Sequence, residues 1–429
     1  VFLKNPFHHY GIILGRGGAH VLNKYLISLD IGTSKVRVIV AEVADENAHI
    51  VGVGSAVSRG MKKGAIIDID EAVQSIREAV EDAERMVGIE ITGVYVGISG
   101  NHISLQPSHG VVAVSSEDRE IGSQDIERVL QAARVVALPP ERIVVEVVPK
   151  QFVVDGLTGI QDPHGMIGVR LEVEGLIVTG SRTIVHNVLR CVEKASLSVL
   201  GIVLLPLATS EISLSLDEKN LGVVLADIGG GTTTLTIFQQ GNLEATVDLP
   251  IGGEYITNDI AIGLRTQTEV AQKLKEEYGV AVVEEASREL TFPVPTIGTY
   301  KERMVSQLEL AHIIEPRISE IFQLLRQQVI KLGYSPEPAG GFVLTGGVLS
   351  IPHISRVAMN ELGQAVRVAI PEANGVQDPS YTGSVGMIYY LHRRRLAHFS
   401  EHGTETVRHK SKQNPTAFER MKNWLSEFI

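Results

Sequence analysis

Two stretches of this chain share one grammar, and no other feature restricts the fold as much. Leu221 to Thr236, LGVVLADIGGGTTTLT, reads as an apolar strand, a glycine turn and a second strand. Leu221, Val223, Val224, Leu225 and Ala226 form a run too short for a helix and rich in β-branched residues. Asp227 stands where that run ends, and Gly229, Gly230 and Gly231 follow; glycine lets the backbone bend through positive φ without a Cβ clash. Thr232, Thr233 and Thr234 then restart a strand. Such a turn can aim several N–H groups at one point, a nest for phosphate oxygens. A carboxylate beside the nest can hold a hydrated magnesium ion, directly or through water. Taken alone, the stretch can also be read as a hairpin turn with an incidental Asp. Tyr25 to Val40, YLISLDIGTSKVRVIV, is a second copy: an apolar strand, then Asp30, Ile31, Gly32, Thr33, Ser34 and Lys35, then an alternating strand. Two such units far apart in one chain predict a duplicated α/β fold with a phosphate clamp between its halves.

The pair resembles the two phosphate loops of the superfamily that contains actin, heat-shock chaperone ATPases and sugar kinases. From about Tyr25 to Ile429 the chain is similar to the FtsA family of bacterial cell-division proteins. The resemblance implies a duplicated actin-like (ribonuclease-H-like) ATPase fold with an inserted α+β subdomain and a C-terminal amphipathic helix. It also implies bound ATP and Mg2+. Gly32, Thr33, Ser34 and Lys35 would then grip phosphates together with Gly229, Gly230, Gly231 and Thr232. Asp30 and Asp227 would order the waters of the metal.

Bulk properties narrow the classes. At 429 residues the chain exceeds the ~250–300 residues at which single cores stop growing. A net charge of −11 argues against general nucleic-acid binding, which needs clustered Lys and Arg. The one cysteine, Cys191, excludes an internal disulfide and a Cys-based zinc site. No apolar run reaches the ~18–20 residues of a transmembrane helix.

Along the chain, residues 1–23 show no clear period and no long apolar stretch of a secretory signal. They read as an upstream extension or misplaced start, and their deletion is expected to leave nucleotide binding intact. The expected organisation is a first actin-like half in two parts, 24–87 and 169–216, interrupted by an inserted subdomain at 88–168. A second half follows at 217–392, with a small subdomain at about 255–335. Val173 to Thr179 is read as a core strand and Tyr300 to Leu332 as one helical stretch. Gly252 and Gly253 precede a helix, a second anion-friendly place. Gln272 and Lys275 lie one turn apart, where resembling families hold the ribose with a Glu-x-x-Lys pair; a solvated polar face is the other reading. In GGFVLTGG, the residues Thr345, Gly346 and Gly347 resemble the family's adenosine loop. Leu205-Pro206 stands where many chaperone-like members carry a Glu before the Pro, which puts fast hydrolysis in doubt.

Residues 393–415 are polar and read as a flexible linker. In TAFERMKNWLSEFI, residues 416–429, the side chains Phe418, Met421, Trp424, Leu425, Phe428 and Ile429 share one helical face. That face suits either a bilayer interface or docking on the chain's own domain, and its cationic flanks favour the bilayer. The resemblance implies a protein that polymerises on the cytoplasmic face of the membrane at the septum. It implies contacts with the C-terminal tail of FtsZ, for which Lys301, Glu302 and Arg303 are candidates, and with other division proteins. The alternative is an actin-like adaptor of type IV pilus assembly.

Overall fold

The computed structural model describes residues 24–402 except 45–46, 299–301 and 335–336. The N-terminal extension and the amphipathic segment 416–429 therefore lie outside the described residues.

Each Asp-Gly unit is the centre of a five-stranded sheet. In the first sheet the order is Ser198–Leu204, Gly93–Ile98, Tyr25–Ile31, Lys35–Ala44, Asn47–Val57. In the second it is Val366–Val368, Phe342–Thr345, Val223–Ile228, Thr233–Gln239, Asn242–Leu249. The Asp-bearing strand pairs antiparallel with its hairpin partner on one side and parallel with a later strand on the other, in both sheets. This repeated topology is the duplicated α/β fold that the paired motifs predict, and it accords with the actin-like fold that the resemblance implies.

Helix Ile69–Val87 covers the first sheet. Asp68 caps it by accepting from the N–H groups of Asp70 and Glu71, and left-handed Gly88 ends it. Ala72, Val73, Ile76, Ala79, Val80 and Ala83 lie in one core with Leu29, Val38 and Val96. The helix approaches so closely that a Cβ at Gly54 would fall 2.0 Å from the carbonyl oxygen of Ala79. The equivalent core of the second half joins Val224, Ala226, Leu235 and Ile237 to Ile314, Ile318, Ile321, Phe322 and Leu325 of helix Gln307–Lys331.

The inserted subdomain is a four-stranded sheet, order Ser104–Ala113, Arg170–Ser181, Arg142–Val154, Leu157–Ile160, with helix Ser123–Ala133 beside it. Two boundaries expected from sequence are corrected here. Gly93–Ile98 belongs to the first core sheet, so the insertion starts after it rather than at 88. Arg170–Ser181 pairs with two strands of the insertion, so it is no core strand and the insertion outlasts 168. Both are buried strands, and apolar pattern alone does not assign a strand to a sheet.

Two further expectations change. Glu302–Ser306 is a strand paired with Thr291–Pro295, and the helix begins only at Gln307. Helix Thr382–His402 runs through residues 393–402, where a linker is expected. Among the described residues no helix is long and apolar enough to cross a membrane.

Two helices meet across the two halves. Leu205–Ser213 and the first turns of Thr382–His402 touch so closely that a Cβ at Gly386 would lie 2.2 Å from Ala208 O. That contact is why small residues recur in both stretches.

Candidate functional site

The two Asp-Gly turns close in the same way. Gly32 N donates to Lys35 O at 3.1 Å, and Gly229 N to Thr232 O at 2.9 Å. They also meet each other. A Cβ on Gly230 would lie 1.8 Å from Ser34 Oγ, and one on Gly231 would lie 2.7 Å from Thr33 Cγ2. Ser34 Oγ reaches across to Glu254 Oε1 at 3.4 Å. None of Gly32, Gly229, Gly230 or Gly231 is among the left-handed glycines of the described residues. Glycine is needed there for close approach, not for the positive φ that the sequence suggests.

Asp30 and Asp227 end equivalent strands and lie close enough to repel. Burial raises the Asp30 carboxyl, against the pull of Arg37 and a hydrogen bond donated by Ser384 Oγ to Oδ2 at 3.2 Å. Burial, then the charges of Asp30 and Asp248, push Asp227 up to about 7, again against Arg37. Asp248 is itself raised by burial; Oδ1 accepts from Thr234 Oγ1 at 2.5 Å and Oδ2 from Gly100 N at 3.1 Å. Arg37 lies opposite Asp30 across the first hairpin, with its guanidinium 5.1 Å from the Tyr381 ring centroid. Its Nε is buried and finds no hydrogen-bond partner among the described residues. Two carboxylates short of positive charge, beside a guanidinium with an unused donor, form a donor set that suits a hydrated divalent cation and phosphate oxygens together.

Gly252 and Gly253 sit on the back of the second loop. A Cβ at Gly252 would lie 2.5 Å from the oxygens of both Gly229 and Gly230. Gly253 N donates to Gly229 O at 2.9 Å and Glu254 N to Gly230 O at 2.8 Å. Gly253 N and Glu254 N, two donors at the helix N-terminus, are thus used within the protein. Lys275 Nζ donates to Gly253 O at 3.0 Å and to Thr257 Oγ1 at 2.8 Å, and Gln272 Oε1 accepts from Thr257 Oγ1 at 2.7 Å. Burial brings Lys275 down to about 8, opposed by Glu276 and Glu254. Gln272 and Lys275 are therefore bonded to the start of helix Gly253–Leu264 and only partly exposed.

Thr345 is fully buried, and its hydroxyl lies 2.6 Å from that of Thr382 and 3.0 Å from Pro379 O. Its side chain is held in the core by these bonds. Gly346 has φ 98°, and a Cβ there would lie 2.4 Å from Asp227 Oδ1. Leu205 lines a small cavity with Asp30, Gly32, Thr33, Gly64, Ser99, His102 and Thr232. An apolar side chain thus lies beside both Asp-Gly loops.

Family comparison agrees with this architecture. A model described as Cell division protein FtsA matches residues 224–386, and one described as SHS2 domain inserted in FTSA matches residues 100–179. The Cell division protein FtsA of Bacillus subtilis (strain 168) is 50% identical over 371 residues, covering 86% of this chain and 84% of the relative. That of Enterococcus hirae is 41% identical over 364 residues, covering 85% and 82%. The chain belongs to the FtsA family of cell division proteins.

The insertion of this FtsA-family chain is the SHS2 domain, and its matched span of 100–179 follows the sheet boundaries above. Among solved structures, a chain of a PilM-PilN type IV pilus biogenesis complex superposes with TM-score 0.59 at 18% identity, covering 85% of this chain and 98% of that one. MreB 5 of Spiroplasma citri bound to AMPPNP gives 0.52 at 14% identity, covering 89% and 99%. These likenesses establish the actin-like fold.

Sequence reading reached both loops but missed Arg37, Asp248, Glu254 and Ser384. A signal for Arg37 was present, because a short turn that pairs Ile31 with Val36 must pair Asp30 with Arg37. Asp248 and Ser384 arrive from distant elements, and no local pattern marks them.

Proposed function

We propose that this chain binds ATP with Mg2+ between its two halves and acts as a membrane-attached scaffold for FtsZ at the division septum. One observation carries the nucleotide part: the two Asp-Gly loops touch, with Asp30, Asp227 and Arg37 gathered beside the contact. Thr33, Ser34, Lys35 and the 229–232 turn would hold phosphates. Asp30 and Asp227 would order a cation whose shell is completed by water and phosphate, since no three His, Cys, Asp or Glu among the described residues form a cage. Gln272 and Lys275 would meet the ribose, and Gly346 and Gly347 the base. The AMPPNP in the MreB relative supports a nucleotide in this fold. With Leu205 in place of a general base, hydrolysis is expected to be slow.

Nucleotide that touches both halves favours the closed form through differential contacts. Closed protomers would stack head to tail as filaments. The apolar face of Phe418, Met421, Trp424, Leu425, Phe428 and Ile429 would hold each one weakly to the cytoplasmic face of the membrane. Many on one filament would bind avidly. The small subdomain around 255–335 would take the FtsZ tail, and the SHS2 insertion other division proteins.

Calorimetry of the full chain with MgATP tests the nucleotide; binding in the micromolar range is expected, and no heat together with an unchanged melting temperature would reject it. Co-sedimentation with anionic liposomes, with and without residues 416–429, tests attachment; equal pelleting would reject it. Pull-down on the C-terminal peptide of FtsZ separates this reading from a pilus-assembly adaptor, to which the chain is alike in fold alone.

A further inference from the structure

The short hairpin of strands Met61–Lys62 and Ala65–Ile66 has no role in the reading so far. Its two turn residues, Lys63 and Gly64, both have positive φ, 49° and 75°. That is the two-residue turn which suits the strand twist, and position one normally goes to Asn, Asp or Gly. A lysine there carries backbone strain that those residues would avoid.

The tip of this hairpin touches both phosphate loops. Gly64 N donates to Thr33 Oγ1 at 3.2 Å, and a Cβ at Gly64 would lie 3.9 Å from Thr232 Cγ2. Gly64 and Met61 also line the cavity that holds Asp30, Gly32 and Thr232. Lys63 reaches across to the second half, where its Nζ lies 5.8 Å from the ring centroid of Tyr255 in helix Gly253–Leu264. The Arg317 guanidinium is also 5.8 Å from that ring. Arg317 is already paired with Asp259 and Glu320. Lys63 is exposed, and among the described residues no carboxylate pairs with it.

On the reading that the cleft holds a nucleotide, we propose that Lys63 senses the terminal phosphate and sets the preference for nucleoside triphosphate over diphosphate. The charges favour this. Asp30, Asp227 and Asp248 already repel within the cleft, and Arg37 is the cation that draws on the first two. A third phosphate adds negative charge next to Thr33 and Thr232, which is where the hairpin tip lies. An ammonium on a flexible four-carbon stem can move from the Tyr255 ring to a phosphate oxygen. A cation–π contact 5.8 Å from a half-buried ring centroid is weaker than a charge-assisted hydrogen bond to phosphate, so the exchange is favourable. A diphosphate offers no oxygen there, and Lys63 stays on Tyr255. The ring is thus the resting place that competes with the sensor.

Calorimetry of the full chain with MgAMPPNP and with MgADP tests this, using Lys63→Gln, Lys63→Arg and Tyr255→Leu. Lys63→Gln is expected to lower the triphosphate-to-diphosphate affinity ratio roughly tenfold, mostly through the triphosphate. Lys63→Arg should keep most of the ratio, and Tyr255→Leu should keep or raise it by freeing the ammonium. An unchanged ratio in a folded Lys63→Gln protein, or an equal loss for both nucleotides, overturns the proposal. Should Lys63→Gln not fold, a lower ratio in Tyr255→Leu overturns it instead. A wild-type chain that binds neither nucleotide fails the function reading itself, a separate outcome.

Discussion

In the first loop Asp30 lies opposite Arg37 across its hairpin; in the second, Asp227 lies opposite Thr234. The backbones repeat and the partners do not. Asp30 has a guanidinium facing it and a hydroxyl donor from Ser384. Thr234 donates its hydroxyl to Asp248, which adds a further negative charge near Asp227. Duplication therefore supplied the frame, and divergence set Asp30 against a guanidinium and a hydroxyl donor, and Asp227 among two acidic neighbours with Arg37 the cation that offsets them. On the proposed function, a magnesium ion would supply further positive charge beside Asp227. Asp227→Ala should then weaken MgATP binding by about a hundredfold, while Asp30→Ala, which leaves Arg37 free to meet phosphate, costs roughly tenfold. Titration in magnesium and in excess chelator checks this. Equal losses for the two variants, with equal magnesium dependence, would show the loops to be electrostatically interchangeable.

The loops also differ in what a methyl group would strike. At Gly32 a Cβ meets the backbone oxygen of Lys35 at 2.9 Å; at Gly230 it meets Ser34 Oγ of the opposite loop at 1.8 Å. A backbone oxygen cannot turn away, but a hydroxyl can. Gly230→Ala is expected to weaken nucleotide binding by roughly tenfold, acting across the cleft. Adding Ser34→Ala, which removes the struck oxygen, should restore part of the loss, a coupling on the order of 1 kcal/mol. Strict additivity in the double-mutant cycle would mean that the loops do not press on each other in solution.

These two cases also mark how far the sequence could be read. The loops, their strands and the duplication were legible because the chemistry is local: an apolar run, an acid, glycines, then β-branched hydroxyls. The reason for the glycines was not, since contact between residues 34 and 230 is a tertiary fact with no trace in either stretch. The same holds for the insertion. Gly93–Ile98 and Arg170–Ser181 are both buried strands, and only pairing assigns one to the core and the other to the SHS2 sheet. The helix after Gly252 and Gly253 was legible, while the loop carbonyls that accept from Gly253 N and Glu254 N were not. Leu205 was legible as an apolar residue before Pro206, and its place in a cavity with Asp30 and Thr232 is a tertiary fact.

The smallest effect expected lies in the pH dependence of the protein without nucleotide. A carboxyl raised to about 7 in the folded state, from an ordinary 3.8, binds its proton more tightly folded than unfolded. Its contribution to stability is complete below pH ~4 and is lost as pH rises towards 7, where the buried charge must form beside Asp30 and Asp248. Asp227→Asn removes that charge and keeps the shape. The variant and the wild type should melt together near pH 4, and the variant should melt higher at pH 8, by on the order of 2–4 °C. Magnesium nucleotide should reverse the order, because a bound cation favours the carboxylate and stabilises only the protein that can hold it. Melting curves from pH 4 to pH 8, with and without MgATP, read both signs. A difference that does not vary with pH would place the titration elsewhere. One that survives nucleotide unchanged would separate Asp227 from the metal and leave the two loops alike after all.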